Sequence, residues 1–232
     1  MCPTWSYFDI LCLSTIPFSN PKTRATKRIG PHNFNILNVL IGSLLGDAFA
    51  EKHGNGTRIC FQQEHSNNAY LIWFHKYVSD LGYCNILTPK ILTRIGKGGK
   101  LRQFTIFKTF TYSSFNWIEE AFYFKNDDHR IKIVPHKVEE YLTPIALAVW
   151  IMEYGGAVSS GLKIATNKYK LIEVKLLCEI INRNYGLQAR PCLAGVNNQY
   201  IIYIPSASMP VLAKLIGPYM HPSMYYKINS HL

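Results

Sequence analysis

Asp47 closes the run Leu40-Ile41-Gly42-Ser43-Leu44-Leu45-Gly46-Asp47-Ala48, an apolar segment with glycines four residues apart. On a helix Gly42 and Gly46 share one side, so a second backbone can approach there. A carboxylate at the end of such a helix is costly to bury without a hydrogen-bonding partner or a metal ion. Asp47 is therefore a candidate metal ligand, although on this run alone a buried helix that ends at a solvated acid is the favoured reading.

A second run has the same design. Pro144-Ile145-Ala146-Leu147-Ala148-Val149-Trp150-Ile151-Met152-Glu153-Tyr154-Gly155-Gly156 is an apolar helix running into an acid and glycines. The segments after the two runs match too. Thr57-Arg58-Ile59-Cys60-Phe61-Gln62 and Leu162-Lys163-Ile164-Ala165-Thr166 read as strands, and a helical segment comes next in each case. Arg102-Gln103-Phe104-Thr105-Ile106-Phe107 is then answered by Asn198-Gln199-Tyr200-Ile201-Ile202-Tyr203. The chain reads as a duplicated unit of roughly a hundred residues, large enough for each copy to be domain-sized.

With these landmarks in order (LIGSLLGDA, YLTPIALAVWIMEYGG, LKIATN and YMHPSMYYK), the sequence resembles the single-chain LAGLIDADG homing endonucleases of organelle introns over residues 30–228. The resemblance implies an α+β fold of two pseudo-symmetric αββαββα halves packed through their motif helices, with two saddle-shaped antiparallel sheets gripping DNA. It also implies that the last acid of each motif holds a divalent ion, Mg²⁺ in a catalytic protein, over the scissile phosphates. The corresponding divisions are an N-terminal extension with a basic arm (1–32), a first half (33–130), a second half (131–228) and a tail (229–232).

The sequence departs from the pattern mildly at Ala48, which replaces the glycine after Asp47, and more seriously at the second acid. Asp47 stands where the resemblance places the first catalytic acid, but Tyr154 stands where it places the second. Glu153 is one residue early, and one residue is ~100° of helical rotation, so its side chain is expected to point elsewhere. A phenol with a pKa near ~10 is a poor Mg²⁺ ligand at neutral pH. Lys132 and Lys227, which close the two halves at equivalent places, match the family's active-site lysines, and Gln62 is a further candidate for the same surroundings. Phosphodiester hydrolysis needs an in-line water, a metal and nearby cations. The expectation is a site that keeps its lysines and Asp47 but lacks one metal ligand.

The 232 residues are 48% hydrophobic and 13% aromatic, enough for a sizeable core. A formal net charge of +11 points to an anionic partner, nucleic acid ahead of membrane. Cys2, Cys12, Cys60, Cys84, Cys178 and Cys192 form no CxxC pair and no Cys/His cluster, so they read as reduced thiols in a reducing compartment. No apolar run reaches the ~18 residues of a membrane span. Residues 1–19 lack the basic flank of a signal peptide and the arginines of a transit peptide, which suits an organelle-encoded protein made in the mitochondrion or plastid.

Cations recur at intervals. Lys22, Arg24, Lys27 and Arg28 form a basic arm before a Gly-Pro break. Arg58 lies on the strand that contains Gln62, while Arg94, Lys97, Lys100, Arg102 and Lys108 lie on a ribbon around the turn at 96–99. Alternation along a strand puts part of such a set on one face, where it can follow a nucleic-acid backbone. In the second half Lys163, Lys168, Lys170 and Arg190 make a thinner set. The remaining expected elements are a motif helix capped by Asn33 or Asn35 and running to about Ala50, helices at 67–82, 113–124, 170–184 and 207–217, and a helix start at Thr143-Pro144. The polar stretch 124–130, with Asp127 and Asp128, reads as an inter-repeat linker.

Three functions fit these residues. The first is a site-specific DNA endonuclease or a version of one reduced to nicking. The second is an RNA-binding descendant, a maturase or a component of an organellar ribonucleoprotein such as the ribosome, for which Tyr154 needs no added assumption. The third, a protein-interaction module, sits poorly with the charge. No phosphate loop, nucleophile elbow or zinc motif supports another enzyme class. The reading is a monomer by internal duplication that binds double-stranded DNA or structured RNA and is impaired in cleavage.

Overall fold

A computed structural model describes residues 22–125, 129–159, 161–195 and 198–228, without the side chains of His65 and Lys97. The basic arm is therefore described from Lys22 onward. The N-terminal stretch before it, Asp127-Asp128 and the tail lie outside the described residues. The chain packs as two compact units: one holds residues up to Ile36 together with Ala48–Glu119, the other holds Leu37–Asp47 together with Glu120 onward.

In the first unit, β1 (Phe49–His53), β2 (Gly56–Glu64), β3 (Ile91–Ile95) and β4 (Leu101–Lys108) form an antiparallel sheet in the order β1-β2-β4-β3. Helix α2 (Asn68–Asp80) buries Tyr70, Leu71, Phe74 and Val78, the helical period seen in the sequence. Its Phe74 meets Phe61 of β2 edge-on at 5.1 Å, and Phe61 stacks on Phe107 of β4 at 4.6 Å between ring centroids. The motif helix α1 (Phe34–Leu45) starts as expected, with Asn33 Oδ1 accepting the Asn35 N–H at 2.8 Å. It ends five residues earlier than expected. Phe49–His53 is a strand that pairs with β2 from Phe49↔Cys60 to His53↔Gly56, and Gly54, at φ +57°, makes the turn.

The arm does not stay wholly in solvent. Lys22, Arg24 and Lys27 are exposed, but Arg28 is 4% exposed. Its guanidinium lies 4.6 Å over the Phe110 ring and donates to the Thr111 carbonyl at 3.3 Å. His32 lies close by, its ring 4.6 Å from Phe115 and hydrogen-bonded to Tyr83 and Ser114. The aromatic cluster of Tyr83, Tyr112 and Phe115 holds this segment and takes Arg28 out of the set available to phosphates.

In the second unit, β7 (Gly155–Val158), β8 (Gly161–Ala165), β9 (Arg190–Leu193) and β10 (Tyr200–Pro205) form a sheet in the order β7-β8-β10-β9. The strand order repeats that of the first sheet, and with α1, α2 and α3 (Asn116–Phe122) answered by α4 (Pro144–Tyr154), α5 (Leu171–Tyr185) and α6 (Met209–Ile216), each copy is αββαββα. Between the copies stands a hairpin, β5 (Tyr123–Lys125) with β6 (Arg130–Lys132), where the sequence suggested a plain linker. Pro144 opens α4 with Thr143 at the N-cap. The position is as expected, but the Thr143 hydroxyl is buried without a partner and makes no capping bond.

Helix α4 is buried from Ala146 to Met152, and the second unit fills its contact side with α1. A Cβ added to Gly42 would lie 2.3 Å from the Ala146 carbonyl oxygen and 2.9 Å from its Cα. Only glycine lets the two backbones touch here.

Candidate acid centre and nucleic-acid faces

Where α1 ends, Gly46 and Asp47 meet the last turn of α4. The Glu153 carboxylate accepts the Ser43 hydroxyl at 2.6 Å and the Asp47 backbone N–H at 2.8 Å. Gly46 leaves room for it, since a Cβ there would fall 2.1 Å from Glu153 Oε2. The expectation that Glu153 points away is therefore corrected. Its position on α4 is one residue early, but a long side chain beside a glycine reaches back to the same cluster.

Tyr154, which the resemblance sets at the place of a second acid, hydrogen-bonds the Asp47 carboxylate. Burial, then the charge of Asp47, push its phenol above the usual range. The group stays protonated and donates. The group beside the Asp47 carboxylate is thus a neutral donor and not a second anion.

Three lysines surround these groups. Lys132, at the end of β6, and Lys227, at the end of the 3₁₀ segment Pro222–Lys227, are both brought here as expected. Lys227 is 5% exposed and donates to the carbonyls of Ile151 at 3.2 Å and Met152 at 2.5 Å, closing the C-terminus of α4. Its burial lowers the ammonium to about 8. Lys168, in the turn after β8, does the same for α1 by donating to the Gly46 carbonyl at 2.8 Å. Lys168 is an exposed residue overall, yet its ammonium turns inward, 4.7 Å over the Tyr154 ring and 5.2 Å over that of Tyr169. It also hydrogen-bonds Lys132, whose amine is held well below its usual range by burial and then by the Lys168 charge. Two ammonium groups at hydrogen-bond distance cannot both stay charged cheaply, and burial lowers both amines, Lys132 the further.

The sequence placed Asp47, Tyr154, Lys132 and Lys227 in this cluster. It missed what Glu153 does there and the place of Lys168. Lys168 was one cation among several, and no spacing rule ties a turn lysine to a helix end more than a hundred residues earlier.

The remaining candidates lie on the sheets. In the second unit, Gly156, Lys163, Tyr203 and Arg190 stand side by side across the four strands. Lys163 and Arg190 are exposed, and Arg190 lies 5.1 Å over the Tyr203 ring. In the first unit Arg94, Lys100 and Arg102 are exposed, Arg94 resting 5.0 Å over the Phe104 ring and Arg102 paired with Glu64 at 3.1 Å. Gln62 is half-buried on β2 opposite Ile106, in the first unit's sheet. Arg58 is not a free cation. Glu51 Oε2 accepts from Arg58 Nε at 2.9 Å and from Lys108 Nζ at 3.1 Å. The Arg58 bond leads in pulling the Glu51 carboxyl down to about 2. Lys97 is placed in the turn by its backbone alone, its side chain being outside the described residues.

Cys60, Cys84 and Cys178 are buried free thiols. Among the described residues no helix is long and apolar enough to cross a membrane, and no three His, Cys, Asp or Glu side chains gather as a metal site.

Comparison with known proteins matches this architecture. Residues 37–212 fit the model of the LAGLIDADG DNA endonuclease family. The chain is 44% identical over 216 residues to the cytochrome b mRNA maturase bI2 of Saccharomyces cerevisiae, covering 91% of this chain and 51% of that protein. It thus spans about half the length of the yeast relative. It is 42% identical over 214 residues to the maturase bI2 of Debaryomyces hansenii, covering 89% and 80%. It is also 36% identical over 160 residues to the intron-encoded endonuclease ai4 of Dictyostelium discoideum, covering 67% and 98%. Among solved structures, the homing endonuclease I-WcaI bound to its DNA recognition sequence superposes with a TM-score of 0.74 at 25% identity, over 91% of this chain and 90% of that one. Two copies of one αββαββα plan, joined at the ends of their first helices around Asp47, make this chain a member of the LAGLIDADG DNA endonuclease family, akin to intron-encoded endonucleases and maturases.

Proposed function

We propose that this chain is a nucleic-acid-binding protein of a mitochondrial intron, working on the intron's RNA as a maturase, with the cleavage chemistry of its family disabled. The observation that carries this reading is the Tyr154 hydroxyl on the Asp47 carboxylate, where catalysis would want a second acid. Losing a carboxylate that holds a catalytic ion removes several kcal/mol of transition-state stabilisation, on the order of 10³ or more in rate. Binding does not depend on that carboxylate. Affinity for RNA or DNA comes mostly from cations against phosphates. The exposed Lys22, Arg24, Lys27, Arg94, Lys100, Lys163 and Arg190 can supply these, with Tyr203 beside Arg190 as a surface on which an unpaired base can stack. The names of the two yeast relatives, both cytochrome b mRNA maturases, support RNA as the ligand and the mitochondrion as the place.

The divalent ion that the resemblance implies does not fit the residues present. Both Glu153 oxygens are engaged by protein donors, the Gly46 carbonyl is taken by Lys168, and Tyr154 donates to Asp47. What the chain's own residues do is hold phosphate-facing cations and close two helix ends.

A second reading, DNA nicking that depends on Asp47, is favoured by the survival of that acid and by the likeness to a DNA-bound homing endonuclease. One paired assay separates the two. Purified protein is offered host-gene DNA with Mg²⁺ and, in parallel, the intron-containing transcript at moderate salt. The maturase reading expects no nicking and recovery of the transcript. Mg²⁺-dependent nicking that disappears in Asp47→Asn would replace it with the second reading.

A further inference from the structure

We propose that the cation of the acid centre is the Lys168 ammonium itself, which takes the place of a divalent ion and keeps the site metal-free. The proposal deepens the reading of a disabled nuclease and rests on the same cluster. Lys168 Nζ is held the way a bound cation is held. It contacts the backbone oxygen of Gly46 at 2.8 Å, faces the charges of Asp47 and Glu153, and lies over the π faces of Tyr154 and Tyr169. The oxygens a metal would need are occupied in turn. Glu153 Oε1 accepts from Ser43 and Oε2 from the Asp47 N–H, while the Tyr154 hydroxyl is bonded to Asp47. Mg²⁺ demands near-octahedral oxygen at roughly 2.0–2.1 Å and gives up its waters reluctantly. Here it would have to displace an ammonium already tethered to the chain. Lys227, buried nearby on the Ile151 and Met152 carbonyls, adds a second positive charge against its entry.

The signature of a resident cation is exchange. Remove Lys168, and a metal gains a seat it lacked before. The test is thermal unfolding of the full chain with and without millimolar Mn²⁺, at matched ionic strength set with NaCl. Wild type is expected to show no Mn²⁺-dependent change in Tm. Lys168→Met is expected to melt lower than wild type without metal and to recover roughly 3 °C when Mn²⁺ reaches ten times its dissociation constant. That recovery should vanish in Lys168→Met/Asp47→Asn. Lys168→Gln gives the same comparison if the methionine variant does not fold. A Tm rise with Mn²⁺ in wild type that Asp47→Asn abolishes overturns the proposal. So does a Lys168 variant whose Tm ignores Mn²⁺. No nucleic acid enters the experiment, so failure to bind RNA would sink the maturase reading alone, while Mn²⁺ uptake by wild type would sink this one alone.

Discussion

Glu153 Oε2 accepts the backbone N–H of Asp47 at 2.8 Å, tying the last turn of α4 to the last residue of the first motif. The same carboxylate takes the hydroxyl of the fully buried Ser43. Hydrogen bonds to a charged acceptor contribute roughly 1.5–3 kcal/mol, and a buried donor left alone costs its full desolvation. Glu153→Ala is expected to lower stability by about 2 kcal/mol or more and Glu153→Gln by about half of that. Urea unfolding checks this: the midpoint should fall with an unchanged m-value.

Gly42, inside α1, and Gly46, just past its end, should respond differently to alanine. At Gly42 the new methyl meets backbone, the Ala146 carbonyl, which cannot step aside without moving α4. At Gly46 it meets the Glu153 side chain, which can swing but only by giving up its bonds to Ser43 and the Asp47 N–H. Gly42→Ala is expected to cost about 3 kcal/mol and Gly46→Ala about 2 kcal/mol, the worth of the Glu153 bonds it displaces. Equal losses in a denaturant titration would show that the backbone contact is not the tighter of the two.

Glu51 holds two cations of the first sheet, Arg58 and Lys108. Glu51→Gln frees both, and each cation that reaches a phosphate adds about 0.9 to the salt slope on B-DNA and about 0.7 on a single strand. Tighter binding at low salt and a steeper slope are expected, read by fluorescence anisotropy from low to moderate KCl. The same change has an acid signature. The Glu51 carboxyl sits at about 2 in the folded protein, below its unfolded value near ~4.3. Its stabilisation is therefore present above the unfolded value and lost as pH falls toward the folded one. Wild type should lose more stability over that window than Glu51→Gln does.

Arg28 and its neighbours in the arm separate folding from binding. Arg28→Ala removes a buried cation–π contact and a hydrogen bond to Thr111, so a loss of about 1–2 kcal/mol in stability is expected, with the salt slope of the folded protein unchanged. Lys22→Ala, Arg24→Ala and Lys27→Ala together should do the opposite, leaving Tm in place and flattening the slope. A triple variant that binds as wild type does would remove the arm from the nucleic-acid surface.

Much of this fold was legible because periodicity and punctuation survive in a single sequence. Tyr70, Leu71, Phe74 and Val78 mark α2, Thr143-Pro144 marks the start of α4, and repeated landmarks mark the duplication. What was missed was short or long-range. β1 and β7 have five and four residues and come after helices whose apolar runs blur into them. The hairpin of β5 and β6 has three residues a side, too few for alternation to show. In the site, Asp47, Lys132, Lys227 and Tyr154 came from motif position. Arg28 reads as one more cation of the basic arm because the sequence gives no hint that Phe110 and Thr111 wait for it. Glu153 was read through helical rotation alone, without the length of its side chain or the space that Gly46 leaves.

Gly46 and Glu153 hold equivalent places in the two motifs, as do Asp47 and Tyr154. In a pair of identical copies related by a two-fold axis, each such position would face its own twin: glycine opposite glycine, or one carboxylate opposite another. Neither pairing can form the Glu153–Gly46 contact, and two glutamates at that distance would repel. The crossing seen here belongs to a chain in which both copies are carried on one polypeptide. With both copies on one polypeptide the two positions can differ, one contributing the space and the other the charge that fills it.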